Sequence, residues 1–423
     1  MLKKPEVQTT VNTARVSRSV IELYASARRN IASFLEGSRT ARIGNFSLMT
    51  DFWTCTITHK KYISVRVYLV DANFEFKSVL LGVRKFEPMF GDRDKGIAGP
   101  FRASLVHLLE DFGLQLSDFF GATSDGGAEV KKMLASRLGL QREWCIAHMA
   151  HAATKAACGM NDGASQNPEL TALLGRVTKT IAQVKTVEKL GNLFTLLCET
   201  MSEGTSTQLL DYAAHRFLSL TKSIRRILEK WIALKAWYEA RAEQAVRQKK
   251  APPSFPLEHD HETLVQLLSL LQPIHEIKAM SQAESAIQVE VLLALYRVRL
   301  NTLRLDTPLK DFRSTKQNPL WIAAASLTPL IVKTRELLRN ALNERFFARY
   351  FVPEKRLACP FAFEMQQRLH PVFKTPDKSL NRIVRLTCRD NGASVTEAHR
   401  VAVQVATLVH TKIRDLMLSI ADP

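Results

Sequence analysis

Phe-Ser-Leu-Met-Thr-Asp-Phe-Trp-Thr-Cys, residues 46–55, opens the stretch on which the fold turns. Phe46 to Asp51 is a short apolar run ending in a carboxylate. Tyr62 to Val70 follows, rich in β-branched and aromatic residues, and Phe74 to Val83 is a third such run, which is strand chemistry. Asp71-Ala72-Asn73 between the last two is short and built largely of turn formers, so it predicts an antiparallel hairpin. Three strands in a meander are the expected opening.

Working outward, the apolar period changes after Ile97. Phe101, Leu105, Leu108, Leu109 and Phe112 fall at helical spacing, and Gly113 is a stop signal. A strand at Phe119 to Thr123, a helix from Ala128 to Leu138, a strand at Trp144 to Ala147 and a further helix complete the block. Antiparallel hairpins followed by β-α-β-α units give a mixed α/β fold, a sheet flanked by helices. Upstream, residues 1–42 read as an amphipathic helical lead-in carrying Ile21, Leu23, Tyr24, Ile31 and Phe34. Beyond about residue 165 strand signals nearly vanish. One long helix is expected from Phe217 to Tyr238, with Leu220, Ile224, Ile227, Trp231, Leu234 and Tyr238 on one face and Lys222, Arg225, Arg226 and Lys230 largely elsewhere. A Pro-rich break at 247–262 precedes helices near 261–281, 284–304, 319–351 and 394–420. The expected organisation is a lead-in at 1–42, a sheet core at 43–165, a helical body at 166–380 and a helical segment at 381–423.

Composition limits the function classes. Of 423 residues, 46% are hydrophobic, a globular value. No apolar run reaches the roughly 18–20 residues a bilayer crossing needs, and Met1-Leu-Lys-Lys-Pro5 lacks the apolar stretch of a signal peptide. A soluble intracellular protein with no membrane partner is expected. Six scattered cysteines suit reduced thiols. Lys+Arg 59 against Asp+Glu 41 gives +18, the charge signature of a polyanion partner.

Asp51 ends one expected strand and Asp125 lies just past another. If those strands are neighbours, the two carboxylates converge on one edge, where hard oxygen ligands can hold Mg²⁺ or Mn²⁺ for phosphodiester chemistry. The competing reading is structural: Asp125 precedes Gly126-Gly127 and a helix, a capping context. Cys145, His148, His151 and Cys158 suggest zinc, but His148 and Cys158 stand ten residues apart on one helix, about 15 Å, too far for one ion. A seat for the strand-to-helix corner is the better role for Cys145 and His148.

Several ordered segments resemble the hAT superfamily of DNA transposases. Residues 46–55 are similar to its apolar strand leading into Thr-Asp-x-Trp-Thr, here Thr50-Asp51-Phe52-Trp53-Thr54. Tyr62-Ile63 and Lys77 to Gly82 match the next two segments in order and distance. Thr123-Ser124-Asp125-Gly126-Gly127-Ala128 resembles the second acidic motif, where Asn often stands in place of Gly126. Trp144-Cys145-Ile146-Ala147-His148 resembles a Cys-x-x-His segment, His215 to Leu220 a Thr-Arg-Trp-x-Ser element, and Arg368 to Lys374 a Leu-Asp-Pro-Arg-Phe-Lys element. The likeness runs over about residues 30–380.

That resemblance implies an RNase H-like five-stranded mixed sheet with a large helical insertion domain. It implies Asp51 and Asp125 as catalytic, metal-binding acids, a structural role for Trp53, DNA as partner, and a nuclear location. Arg216 and Phe217 become the best DNA contacts, with Lys222, Arg225 and Arg226 beside them. The departures are specific. Phe217 replaces the family's Trp, its His-Thr pair is missing around Asp94 to Gly99, and no Cys-x-x-Cys with a His pair forms a zinc finger. The third acid and the dimerisation region, carried by a Ser-x-x-Glu-Arg-type segment, are not found. Glu397 is expected to serve its helix's first turn instead. The expected function is therefore a transposase-derived nucleic-acid-binding protein with impaired catalysis. An active Mg²⁺-dependent transposase and a domesticated protein-interaction scaffold are the alternatives. Trp53, two residues after Asp51 where a proofreading-type exonuclease would want Glu, argues against that class, and Glu110 falls too late in its helix for an RNase H proper.

Overall fold

The computed structural model describes residues 12–421 apart from 40–43, 56, 72, 74, 90, 92–95, 161–164, 188–189, 191, 202–206, 211–216, 283–286 and 374–375. The chain divides into two units, Met1–Cys145 with Asp415–Pro423, and Ile146–Arg414.

The first unit is built on a five-stranded mixed sheet. Its strands are β1 (Phe46–Thr54), β2 (Lys61–Val70), β3 (Phe76–Lys85), β4 (Phe119–Ser124) and β5 (Gln141–Trp144), in the order β3-β2-β1-β4-β5. β1, β2 and β3 pair antiparallel, whereas β4 runs parallel to both β1 and β5. The expected hairpin forms at Asp71, whose Oδ1 accepts hydrogen bonds from the backbone N–H of Asn73 and Glu75. Ala72 and Phe74 of that reading lie outside the described residues.

Alternation along the strands decides which face is covered. Phe46 and Leu48 of β1 and Ile63, Val65, Val67 and Leu69 of β2 form one core with Leu35 of α1 (Thr13–Gly37), Phe101, Leu105, Leu108 and Leu109 of α2 (Ala98–Glu110), and Met133 and Leu134. Gly113 ends the α2 region in the left-handed conformation, φ +70°, the glycine stop the sequence announces. Two close approaches also need glycine. A Cβ on Gly44 would lie 2.5 Å from the backbone of Phe119, and one on Gly121 would lie 2.6 Å from the Gln141 carbonyl oxygen.

Local expectations shift in three places. β1 runs three residues past Asp51, because β2 continues to pair with it through Thr54. The last strand is Gln141–Trp144, not Trp144 to Ala147; Ile146 and Ala147 already belong to α4 (Ile146–Ala157). Its Gln-Arg-Glu sequence is polar, and only pairing with β4 reveals it as a strand. The helix expected at Ala128 to Leu138 is one short α-helical turn, α3 (Ala128–Lys131), followed by a π-helical turn at Lys132–Arg137.

Among its described residues the regular structure of the second unit is helical apart from a two-strand ladder of β6 (Leu309–Lys310) and β7 (Trp321–Ile322). Its helices up to the ladder are α4, α5 (Pro168–Thr186), α6 (Leu193–Met201), α7 (Phe217–Glu229), α8 (Trp231–Arg247), α9 (His261–Ser281) and α10 (Gln288–Arg297). Beyond it come α11 (Pro329–Leu342), α12 (Ala348–Phe351), α13 (Pro353–Leu357), α14 (Ala362–Leu369), α15 (Pro376–Asp390) and α16 (Val395–Ala421), the last of which belongs to this unit as far as Arg414. α9 is apolar nearly all round, with Leu264, Val265, Leu267, Leu268, Leu270, Leu271, Ile274 and Ile277 buried. Such a helix must be enclosed, and α4, α7, α10 and α11 pack about it. Asn167 ties a corner of this body together: its Nδ2 donates to the Ala157 carbonyl at 3.0 Å and to Thr334 Oγ1 at 2.9 Å. The expected single helix from Phe217 to Tyr238 is two, α7 and α8, which break at Lys230. Lys230 is itself buried, not placed outside with Lys222. No described helix is long and apolar enough to cross a membrane.

Candidate acidic site on the sheet

Asp51 and Asp125 both follow one paired position of neighbouring parallel strands. Thr50 of β1 pairs with Ser124 of β4, the last pair of that ladder; Asp51 comes next within β1, and Asp125 is the first residue past the end of β4. Equal steps from a paired position lead two parallel chains to the same face. This face is opposite the core. Met49, Asp51 and Trp53 of β1, Ser64 and Arg66 of β2, and Leu80 and Val83 of β3 line an open hollow of about 380 Å³ there.

Both carboxylates keep an oxygen free. Asp51 Oδ1 accepts the backbone N–H of Phe52 at 2.9 Å, and Asp125 Oδ1 accepts that of Gly127 at 3.1 Å. The capping reading of Asp125 therefore describes part of its role, since one oxygen holds the Gly-Gly turn. The second oxygen of each aspartate has no protein partner among the described residues.

Trp53 stacks on Tyr62, ring centroids 5.7 Å apart, and walls the hollow beside Asp51. The opposite wall belongs to Arg66, whose Nη1 donates to Ser78 Oγ at 2.8 Å. On the other side of Asp125, Arg142 donates from Nε to Ser124 Oγ at 2.8 Å and from Nη2 to the Asp125 carbonyl. Burial lowers the Arg142 pKa, and the nearby charges of Asp125 and Glu143 oppose that shift. Arg142 thus fixes the backbone from which Asp125 projects. No local sequence signal marks Arg142, because β5 is polar and is a strand only through its pairing with β4.

Two carboxylates with free oxygens suit a hard cation, but they are fewer oxygens than Mg²⁺ requires. Glu143, opposite Thr123 on β5, is the next acid on this face and is buried. No three of the described His, Cys, Asp and Glu side chains come together as a metal-ligand set.

Other expected residues are placed as follows. Cys145 accompanies the turn after β5, its backbone N–H bonded to the Ser124 carbonyl at 2.9 Å, and His148 lies on α4. Burial pushes the Cys158 thiol up to about 12 and brings His151 down to about 4, with Lys278, Lys155 and His148 adding to the latter. A thiol so reluctant to ionise is a poor zinc ligand. Glu397 is held by Arg400, which lowers its pKa, and its N–H is capped by Ser394 Oγ.

Arg216 lies outside the described residues, and Phe217 is the first residue of α7. Lys222 is exposed on that helix. Arg225 instead donates to Gln272 Oε1 at 2.8 Å and stacks over Phe312, and Arg226 bonds the Gln208 carbonyl and pairs with Glu229. Their charges remain near the surface while their hydrogen-bonding capacity is partly used.

Compared with known proteins, the chain matches no protein-family model and no curated protein.

Proposed function

We propose that this chain is a nucleic-acid-binding protein of hAT-transposase descent that retains two of its ancestral metal-binding acids and has weak or no strand-cleaving activity. The observation that carries the reading is the equal placement of Asp51 and Asp125 beyond the Thr50–Ser124 pair, on a five-stranded mixed sheet. A divalent cation would supply charge neutralisation and activation of a water or 3′-hydroxyl. The aspartates would be its ligands, with Arg142 holding Asp125 in place. The third acid of the resembled family is not found in the sequence, which is the ground for impaired catalysis. The excess of +18 suits a phosphate backbone as partner, and with that descent a nuclear location is the natural one. Lys222, Arg225 and Arg226 on α7, with Arg216 and Phe217 before them, are the proposed DNA-facing residues.

Two measurements test this reading. Duplex DNA binding should weaken steeply between 50 and 200 mM salt, as counterion release requires; no binding at low salt overturns it. Supercoiled plasmid incubated with Mg²⁺ or Mn²⁺ should be nicked little or not at all. Metal-dependent nicking abolished by Asp51→Ala would establish the active transposase instead.

A further inference from the structure

A second charged hollow, wholly within the helical unit, has no role in the proposed acidic site. It encloses about 430 Å³ and is lined by Arg304, Asp306, Arg339, Arg389 and Asp390, with Leu305 and Leu386. Two further arginines stand behind it. Arg299 is fully buried; its Nη2 pairs with Asp390, its Nε donates to Asn343 Oδ1 at 2.9 Å, and its Nη1 has no partner among the described residues. Arg335, also fully buried, donates to the carbonyls of Thr302 at 2.6 Å and Thr307 at 3.0 Å.

Five guanidinium groups thus gather about three carboxylates, since Arg304 is engaged by Asp306 and Arg339 only loosely by Glu336, at 3.5 Å. The excess is two positive charges. Arg389 has no partner among the described residues, and the charges of Arg299 and Arg335 are shielded from water by burial. In a place of low water content an uncompensated charge acts more strongly than at the surface. A self-sufficient ion-pair network would balance; this one does not.

We propose that the hollow formed by Arg304, Arg339 and Arg389 binds a phosphoryl group. The guanidinium fork matches tetrahedral oxyanions two oxygens at a time, and a dianion balances the excess charge. The same chemistry is presented by a free phosphate compound and by a nucleic-acid backbone. Arg339 and Arg389 carry the open donors, whereas Arg299 and Arg335 supply fixed charge from behind.

The test is calorimetric titration of the full chain with inorganic pyrophosphate in EDTA, and separately with a 20-base-pair DNA duplex at several salt concentrations. Arg389→Ala and the double variant with Arg339→Ala are compared with Lys316→Ala, an exposed lysine outside both the hollow and the proposed DNA-facing residues. Both arginines are at least partly exposed, and melting curves confirm that the variants fold. Pyrophosphate binding weakened about tenfold or more by Arg389→Ala, and spared by Lys316→Ala, supports a free-anion site. Unchanged or absent pyrophosphate binding, with duplex affinity and salt slope reduced by the double variant, supports a backbone site; each lost contact lowers the slope by about 0.9. Neither ligand sensitive to the double variant, or neither bound by the wild type, overturns the proposal. Duplex bound equally by all variants, with pyrophosphate binding unchanged or absent, would remove the hollow and leave the proposed function standing. Pyrophosphate lost in the variants while duplex never binds would do the reverse.

Discussion

The indole of Trp144 occupies the space that a side chain on Gly126 would need: a Cβ built on Gly126 would lie 2.4 Å from the ring. Real Cβ atoms do not approach so closely. The turn after Asp125 can therefore follow its path only with glycine at 126, and the Asn often found there in the resembled family is excluded by the tryptophan on the neighbouring strand.

Gly126→Asn should destabilise the sheet unit by about 1–3 kcal/mol, the usual cost of overpacking. Trp144→Ala should lose its own packing, but in the double variant the Asn should cost less than it does alone. Thermal unfolding of the four proteins reads the coupling. Strict additivity of the two losses would mean that Trp144 does not set the glycine requirement.

Mn²⁺ binding should be weak, since among the described residues the site offers two carboxylates with one free oxygen each. Asp51→Asn and Asp125→Asn should each weaken it by about fivefold or more, because each removes half of the charged ligands. Paramagnetic resonance of free Mn²⁺ measures this without reference to cleavage. Wild-type affinity in either variant would exclude that aspartate from a shared site.

Arg349 lies over the Phe346 ring, 4.0 Å from its centroid, and faces the buried carboxylate of Glu364 at 3.6 Å. Tyr350 donates to that carboxylate at 2.7 Å, and Tyr296 and Tyr350 hydroxyls meet at 2.6 Å. Burial and the Glu364 charge raise both tyrosine pKa values well above the usual range. Arg349→Met should cost about 3–5 kcal/mol by leaving the carboxylate buried without its cation. Adding Glu364→Gln should restore part of that loss. A urea denaturation series decides; no recovery in the double variant would show that packing on Phe346, not charge pairing, dominates.

His151 should make the protein less stable in mild acid. Burial, then Lys278, Lys155 and His148, lowers its folded pKa from 6.5 to about 4. Between those values the unfolded chain binds the proton and the folded chain does not, so stability falls as pH drops from about 6.5 towards 4. After discounting for solvent screening, the effect is on the order of 1 kcal/mol. Urea midpoints at pH 7.5 and 5 should differ less in His151→Gln than in the wild type. An equal pH dependence in both would assign the acid lability to other groups.

Much of the sheet is legible because its residues carry local information. Alternating β-branched and aromatic residues from Tyr62 to Val70 specify a strand whatever surrounds them, and Gly113 ends the α2 region through its own backbone freedom. The polar strand Gln141–Trp144 was not legible, because its identity comes from hydrogen bonds to β4. Nor was the break between α7 and α8: the periodicity of Leu220, Ile224, Ile227, Leu234 and Tyr238 continues across it, and only burial of Lys230 marks the interruption.

The two aspartates divide in the same way. By itself the sequence determined that Asp51 follows an apolar strand segment and that Asp125 precedes a Gly-Gly turn, since both depend on near neighbours in the chain. Tertiary structure alone decided that the two follow the same paired position of adjacent strands. A register over 74 residues of separation is set by the pairing of Thr50 with Ser124 and by core packing, not by any local preference. It also decided that Arg142 holds Asp125 and that five arginines meet in the helical unit, because such meetings join residues far apart in the chain.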